Sequence, residues 1–190
     1  MKKLLILAAL FLVFAHSWGQ EDVILPQKPN RPGYTEYRLL NTGFWCAVEA
    51  EGGSTVMINH KNMQAVGLTY TAGYRFGEYL RIGVGAGARY YVNGNEVRKP
   101  GKSEWTFPLF VNARGNIIPQ YDRTVVPYWS LNLGGMAGDG FFISPTIGMR
   151  IGEPRNSFLI GVGYSFNKIE AAPLSNDYTS GVVLRIGYEF

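Results

Sequence analysis

The sequence has very little of what a disulfide framework, a helical membrane anchor or a metal centre requires. Cys46 is the single cysteine of the 190-residue chain, so an internal disulfide is excluded. Beyond the N-terminal region, no stretch reaches the roughly 18 consecutive apolar residues of a membrane-spanning helix. Only 2 histidines are present, and no spacing of Cys and His matches a metal site. We therefore expect neither a bound metal nor a cofactor.

Acidic and basic residues come close to balance. The chain has 18 basic and 14 acidic residues, and Lys2 and Lys3 account for half of the formal net charge of +4. Clusters of lysine and arginine suited to a phosphate backbone are absent from the sequence. We expect no nucleic-acid partner.

The first part of the chain has the pattern of a cleaved signal peptide. Two lysines precede an apolar run over residues 4–15, and the small residues Ser17 and Gly19 follow it. A charged start, a short apolar run and a small-residue cleavage site are typical of secretory signals. Because the run is too short to span about 30 Å of hydrocarbon, we interpret residues 1–19 as a signal peptide. Cleavage after Ser17 is the alternative to cleavage after Gly19.

Residues 20–36 separate this signal from the first predicted strand. They include Pro26, Pro29 and Pro32. Repeated proline opposes both helix and sheet, because it removes backbone donors and restricts φ. We therefore predict an extended periplasmic lead-in here.

From residue 37 onward the chain divides into eight segments in which large apolar residues alternate with small or polar ones. The last segment places large apolar residues at every second position and Gly181, Val183, Arg185, Gly187 and Glu189 between them. The chain contains 24 glycines, and a face this rich in glycine is too small to cover a soluble exterior. We therefore expect the apolar face to contact lipid and the other face to line a lumen. A secreted soluble β-protein is the alternative.

This pattern predicts an all-β fold, an eight-stranded antiparallel up-and-down transmembrane β-barrel over residues 37–190. Two sets of connections alternate along it. One set consists of the tight turns 76–79 and 152–156 and the somewhat longer 116–124, and the other consists of the loops 51–64, 93–103 and 167–177 and the short 134–140. Outer-membrane barrels have short periplasmic turns and longer outer loops. Both chain termini are therefore expected on the periplasmic side.

Charged side chains fall on the predicted lumenal face. The main set comprises Glu49, Arg75, Arg81, Arg89, Arg114, Arg150, Arg185 and Glu189, with Glu104 as a further candidate. An eight-stranded barrel is just wide enough inside for side chains to fill it, and buried charges require partners. We expect an Arg/Glu network that fills the lumen. Alternatively, lumenal glycines leave a narrow wet path in which excess arginine favours anions.

The closing run Val182-x-Leu184-x-Ile186-x-Tyr188-x-Phe190 resembles the last strand of the small eight-stranded outer-membrane barrels of the OmpA/OmpX type. The resemblance covers roughly residues 37–190. It implies a Gram-negative outer-membrane location, contact with outer-membrane lipid, and recognition of Leu184, Ile186, Tyr188 and Phe190 by the barrel-assembly machinery. The outer loops are the candidate binding surface for an extracellular ligand.

Three functional classes follow. A structural or surface-interaction barrel comes first, and a narrow anion-preferring porin second. A lipid-modifying enzyme of the outer leaflet is a distant third, because His60, the only histidine beyond the signal peptide, lies in no catalytic motif. We expect no catalytic residues and a non-enzymatic protein.

Overall fold

The computed structural model describes residues 34–57, 62–94, 101–121, 123–169 and 177–190. The predicted signal peptide and residues 20–33 of the lead-in lie outside this part. One short helix, α1 (Tyr34–Leu40), precedes the strands. The strands are β1 (Gly43–Met57), β2 (Asn62–Arg75), β3 (Arg81–Tyr91), β4 (Trp105–Thr106), β5 (Pro108–Asn116), β6 (Val125–Met136), β7 (Gly140–Gly152), β8 (Ser157–Ile169) and β9 (Asp177–Glu189). Among the described residues, no helix has the length and hydropathy to cross a bilayer.

The strands form one closed antiparallel barrel. β4 and β5 are two parts of one strand, interrupted at Phe107, so the wall in the described part of the chain has eight strands. Each strand pairs with its neighbour in sequence, and β1 also pairs with β9 along most of its length. Closure of this kind leaves no unpaired sheet edge. The predicted all-β, eight-stranded, up-and-down barrel is confirmed.

The two ends of the barrel differ. We call the end with the connections 76–80, 117–124 and 153–156 the turn end; α1 also contacts this end. The opposite end, the loop end, carries the connections that include residues 58–61, 95–100 and 170–176, which lie outside the described part.

Burial alternates along the strands with the period of two that β geometry requires. Leu184 is 59% exposed on the outer face, whereas its neighbour Arg185 is 3% exposed inside the barrel. Val84 and Leu109, also on the outer face, are 67% and 66% exposed. The apolar face therefore points outward and the polar face points inward.

The structure corrects the beginning of the barrel. The sequence predicted an extended lead-in to residue 36 and a barrel from residue 37, but α1 occupies Tyr34–Leu40 and β1 begins at Gly43. A seven-residue helix has little stability of its own. Its contacts with the turn end, described below, account for it.

The predicted loop at 51–64 was also too long. β1 continues to Met57 and β2 begins at Asn62. Gly52, Gly53 and Ser54 have the composition of a turn, yet each is paired with both β2 and β9. Pairing on both sides overrides the local preference, so the strands extend further towards the loop end. β8, which reaches Ile169, shortens the predicted loop at 167–177 in the same way.

Candidate functional site: a buried charge network in the barrel lumen

The structure places every member of the predicted lumenal set inside the barrel. All eight side chains are buried, with exposures of 0 to 4%. They form two clusters. The turn-end cluster comprises Glu49, Arg75, Arg81, Arg114, Arg150 and Glu189, and the loop-end cluster comprises Arg89 and Arg185 together with Glu51.

Glu189 is the centre of the turn-end cluster. Its Oε1 atom lies 2.7 Å from Arg150 Nη2, 2.9 Å from Arg81 Nη1 and 3.1 Å from Arg75 Nη2. Its Oε2 atom lies 3.6 Å from Arg114 Nη1. One carboxylate on the last strand is therefore surrounded by arginines from β2, β3, β5 and β7. Such ties across the lumen link strands that are not neighbours in the wall.

Glu49 supplies the second carboxylate of this cluster. Arg114 Nη2 donates to Glu49 Oε2 at 2.5 Å, and Arg114 Nε donates to Asn112 Oδ1 at 2.7 Å. The Arg114 guanidinium also lies 4.7 Å from the centre of the Trp45 ring, a cation–π contact. Arg114 is thus fixed by a charge, an amide and an aromatic face at once.

The loop-end cluster is organised by Glu51. Arg89 Nη2 lies 2.6 Å from Glu51 Oε1, and Arg185 Nη2 lies 3.4 Å from Glu51 Oε2. Arg185 also donates to Thr146 Oγ1 and Ser144 Oγ, both at 2.8 Å. The charges are therefore both paired and hydrogen-bonded, as buried ions require.

The sequence analysis did not include Glu51 in the lumenal network, and it offered Glu104 as a further member although Glu104 lies outside the network. Glu51 was assigned to a loop, although it follows Glu49 by two residues and so shares its face. Glu104 is not in either cluster: it is half-buried and accepts a hydrogen bond from Tyr90 Oη at 2.6 Å. The alternation of β1, continued from Glu49 to the next residue on the same face, would have identified Glu51.

Glycines make room for the lumenal carboxylates. A Cβ at Gly67 would lie 3.1 Å from Glu51 Oε1, and a Cβ at Gly187 would lie 2.6 Å from Glu49 Cγ. Both positions face the lumen beside the strand that carries the glutamate. A larger residue at either one would displace the carboxylate from its arginine.

Other lumenal glycines lie beneath aromatic rings. A Cβ at Gly161 would lie 2.8 Å from Tyr128 Oη, and a Cβ at Gly85 would collide with the Phe110 ring. The volume that these glycines leave free is therefore filled by neighbouring side chains. Beside Glu51 and Arg89 there is a cavity of about 10 Å³, which is room for about one water molecule.

Buried groups lie towards both ends of the lumen in the described part of the chain. At the loop end, Phe110, Met136 and Phe142 form a buried apolar cluster. The Phe110 and Phe142 rings meet edge to face at 5.9 Å.

At the turn end, α1 lies against all three turns. Tyr37 Oη donates to Glu78 Oε2 at 2.6 Å and accepts from the Gln120 backbone N–H at 3.0 Å. Arg155 Nη2 donates to the Thr42 carbonyl oxygen at 3.1 Å, just beyond the helix. Burial, followed by the neighbouring Glu78 carboxylate, raises the pKa of Tyr37 well above its ordinary value. The Tyr37 hydroxyl is thus held in its neutral, donating form.

The four residues of the predicted assembly signal lie on the outer face. Leu184, Ile186, Tyr188 and Phe190 are all exposed, and the Tyr188 and Phe190 rings contact each other at 4.9 Å. None of them points into the lumen.

The network has the chemistry of a set of structural ion pairs that hold the strands together. Its arginines donate to carboxylates, amides and hydroxyls that are themselves buried, and no group of three or more metal-binding side chains occurs among the described residues. His60, the one histidine weighed as a catalyst, lies outside the described residues.

The wall and the lumen together define the chain as a closed eight-stranded β-barrel with an apolar exterior and an ionic interior. Its fold is similar to that of Neisserial surface protein A (NspA), with a TM-score of 0.52 and 15% sequence identity over 77% of this chain and 97% of that one. The N-terminal β-barrel domain of Pseudomonas aeruginosa OprF matches with a TM-score of 0.42 and 12% identity over 78% of this chain and 99% of that domain. No protein-family model matches the sequence, and neither does any curated protein.

Proposed function

We propose that this protein is an integral barrel of a Gram-negative outer membrane, with a structural or surface-interaction role and a lumen closed by its Arg/Glu network. The observation that carries the proposal is the inversion of the usual distribution of side chains. Ile147 on the wall is 66% exposed while Arg150, on the same strand, is 1% exposed. Surroundings of lipid make both placements favourable, because exposed apolar groups then avoid water and the charges avoid lipid.

Two belts of outward aromatic pairs support the membrane assignment. Tyr74 contacts Phe76 at the turn end, and Tyr90 contacts Trp105 at the loop end. Tyr74 is paired with Ile82, so Tyr90 lies eight residues further along β3. At about 3.3 Å per residue, this is roughly 26 Å along the strand, which a tilt of about 40° reduces to roughly 20 Å across the membrane. Outer-membrane barrels carry aromatic girdles at about this separation.

The fold similarity to NspA, which is described as a surface protein, agrees with this proposal. In the proposed orientation, the turn end and both chain termini are periplasmic and the loop end faces outward. The outer loops then carry any extracellular ligand. Outer-membrane lipid surrounds the wall, and the assembly machinery recognises Leu184, Ile186, Tyr188 and Phe190.

The test is fractionation of cells that express the full chain, together with gel mobility of the refolded protein. We expect the protein in the outer-membrane fraction, resistant to alkaline carbonate extraction. Unheated samples should migrate differently from boiled ones, since the closed barrel resists detergent. A protein that stays soluble without detergent, with mobility unaffected by heating, would rule out the proposal.

A narrow anion-preferring porin is the second candidate, and the composition of the lumen favours it. Six buried arginines face three buried glutamates in the described lumen, so the interior is net positive. Against it stand the aromatic rings over the glycines, the small cavity and the buried groups towards both ends of the lumen. Single-channel recordings of wild type beside Arg89→Ala distinguish the two. Discrete anion-preferring current steps that the substitution alters support a pore. A heat-modifiable barrel that shows no conductance supports the structural role.

We retain a non-enzymatic role as part of the proposal. The lipid-modifying alternative depends on His60, so its test is His60→Ala in an assay of acyl hydrolysis on outer-membrane lipid. Wild-type activity that His60→Ala abolishes would replace the structural role with a catalytic one.

A further inference from the structure

Three arginines lie side by side in one row of the lumen. Arg75 on β2 is the cross-strand partner of Arg81 on β3, and Arg81 is the cross-strand partner of Arg114 on β5. Each of the three side chains is 1% exposed. Like charges directly opposite each other destabilise a sheet. Burial increases the need for a counter-charge, because water cannot screen them.

The carboxylates beside this row are too few. In the described part of the turn-end cluster, four buried arginines share Glu49 and Glu189. Glu78, the next acidic residue towards the turn end, is only half-buried and accepts hydrogen bonds from Tyr37 and the Gln120 backbone. The terminal carboxylate of Phe190, which accepts from Arg75 Nη2 at 2.8 Å, supplies a third negative group. One positive charge is thus left without a negative partner among the described residues, which is strongly unfavourable in a closed interior.

Hydrogen bonding locates the missing negative charge at Arg81. Arg81 Nη1 donates to Glu189 Oε1, but Arg81 Nε and Nη2 have no acceptor among the described residues. Arg75 Nη1 donates to the Pro154 carbonyl oxygen and Arg75 Nη2 donates to the terminal carboxylate of Phe190, whereas Arg75 Nε has no acceptor among the described residues. Buried guanidinium donors are normally satisfied. Neighbouring side chains therefore present unpaired N–H groups where positive charge is in excess.

We propose that a single monatomic anion, of the chloride class, is bound at Arg81 Nε and Nη2, beside the cross-strand partner Arg75. It supplies negative charge to the arginine row and accepts the hydrogen bonds that the protein leaves unmade. A small spherical ion suits the site because Trp45 fills the side towards the loop end: a Cβ at Gly83 would lie 3.0 Å from Trp45 Cζ2. The anion is a fixed part of the lumen, and the site does not depend on the cellular location proposed above.

The first test uses bromide as the probe. Full-length protein is refolded in detergent and crystallised from sodium bromide, and anomalous diffraction is collected at the bromine edge. The expected result is a peak in contact with Arg81 Nε or Nη2. A water molecule at that position without anomalous signal, or bromide bound only elsewhere, would overturn the proposal.

The second test measures unfolding by urea in sodium chloride and in sodium gluconate at equal ionic strength. Binding to the folded state alone lowers the unfolding equilibrium constant by about tenfold at a chloride concentration ten times Kd. Arg81→Lys keeps the charge but removes Nε and Nη2, so its stability should no longer depend on chloride. Arg155→Lys is the matched control, because Arg155 is exposed at the turn end, and it should respond as wild type does.

Equal chloride dependence in wild type and Arg81→Lys would contradict the assignment of the site. If Arg81→Lys does not fold, the bromide experiment on wild type decides the question alone.

Discussion

Glu51 on β1 reaches across β2 to pair with Arg89 on β3, at 2.6 Å. The residue of β2 that lies between them in register is Gly67. Because Gly67 has no side chain, the Glu51 carboxylate can extend over β2 to Arg89. Because Glu51 also pairs with Arg185 on β9, this one carboxylate ties strands on both sides of β1, including the seam between the first and last strands.

Removing the charge of Glu51 should destabilise the barrel strongly. In Glu51→Gln, Arg89 and Arg185 lose their only buried carboxylate partner among the described residues. Breaking a buried pair on one side costs about 3–5 kcal/mol, because the remaining charge is uncompensated. Urea unfolding of the refolded protein, followed by heat-modifiable gel mobility, measures the loss. The control Glu104→Gln changes a half-buried acid outside the network and should cause a much smaller loss.

Filling the space above Gly67 should have a related effect. A Cβ at Gly67 would lie 3.0 Å from the Ala88 carbonyl oxygen and 3.1 Å from Glu51 Oε1. Gly67→Ala should therefore destabilise the barrel by about 1–3 kcal/mol, as overpacking does. Gly52→Ala is the matched control, because a Cβ at Gly52 meets nothing within 4 Å. If both variants unfold at the same urea concentration as wild type, the passage of Glu51 over Gly67 does not require glycine.

A charge placed on the outer wall should test whether this face contacts lipid. Leu184 lies near the middle of β9 and is 59% exposed on the outer face. Leu184→Arg should cost about 2–4 kcal/mol in a bilayer if this position is at the membrane midplane. Asn62→Arg, an exposed position at the loop end of β2, should change stability little. Similar losses for both variants in lipid vesicles would place the membrane elsewhere on the barrel.

Tyr37 should hold α1 to the turn end. Tyr37→Phe removes the hydroxyl that bonds Glu78 and the Gln120 N–H, at about 0.5–1.5 kcal/mol for each bond. Hydrogen exchange at the Asn41 and Thr42 amides, which bond carbonyls of α1, should accelerate in the variant. Unchanged exchange would show that other contacts hold the helix.

The same contact should resist alkaline pH. The pKa of Tyr37 is raised in the folded protein, so the stabilisation by its neutral hydroxyl is complete below the unfolded pKa near 10. It is lost only as pH rises through the higher folded value. Exchange at the Asn41 amide, corrected for its intrinsic rate, should stay protected up to pH 10. Loss of protection between pH 7 and 9 would contradict this assignment.

The sequence alone was sufficient for the architecture of the wall. The strict alternation in residues such as Leu184 and Arg185 is a local property, since successive side chains of a strand point to opposite faces. It predicted which face each of the eight lumenal charges would occupy. It did not predict Glu51, because the glycines after it resemble a turn, or α1, because seven residues carry no clear periodicity.

What the sequence by itself determined is therefore the number of strands, their direction and the inward side of the eight predicted lumenal charges. Tertiary structure alone decided which arginine meets which glutamate. Arg89 and Glu51 are 38 residues apart, and Arg81 and Glu189 are 108 apart. The first pair meets once β1, β2 and β3 pair in register. Arg81 reaches Glu189 only when β1 pairs with β9, because closure of the barrel brings the two residues together and excludes the water that would otherwise solvate them.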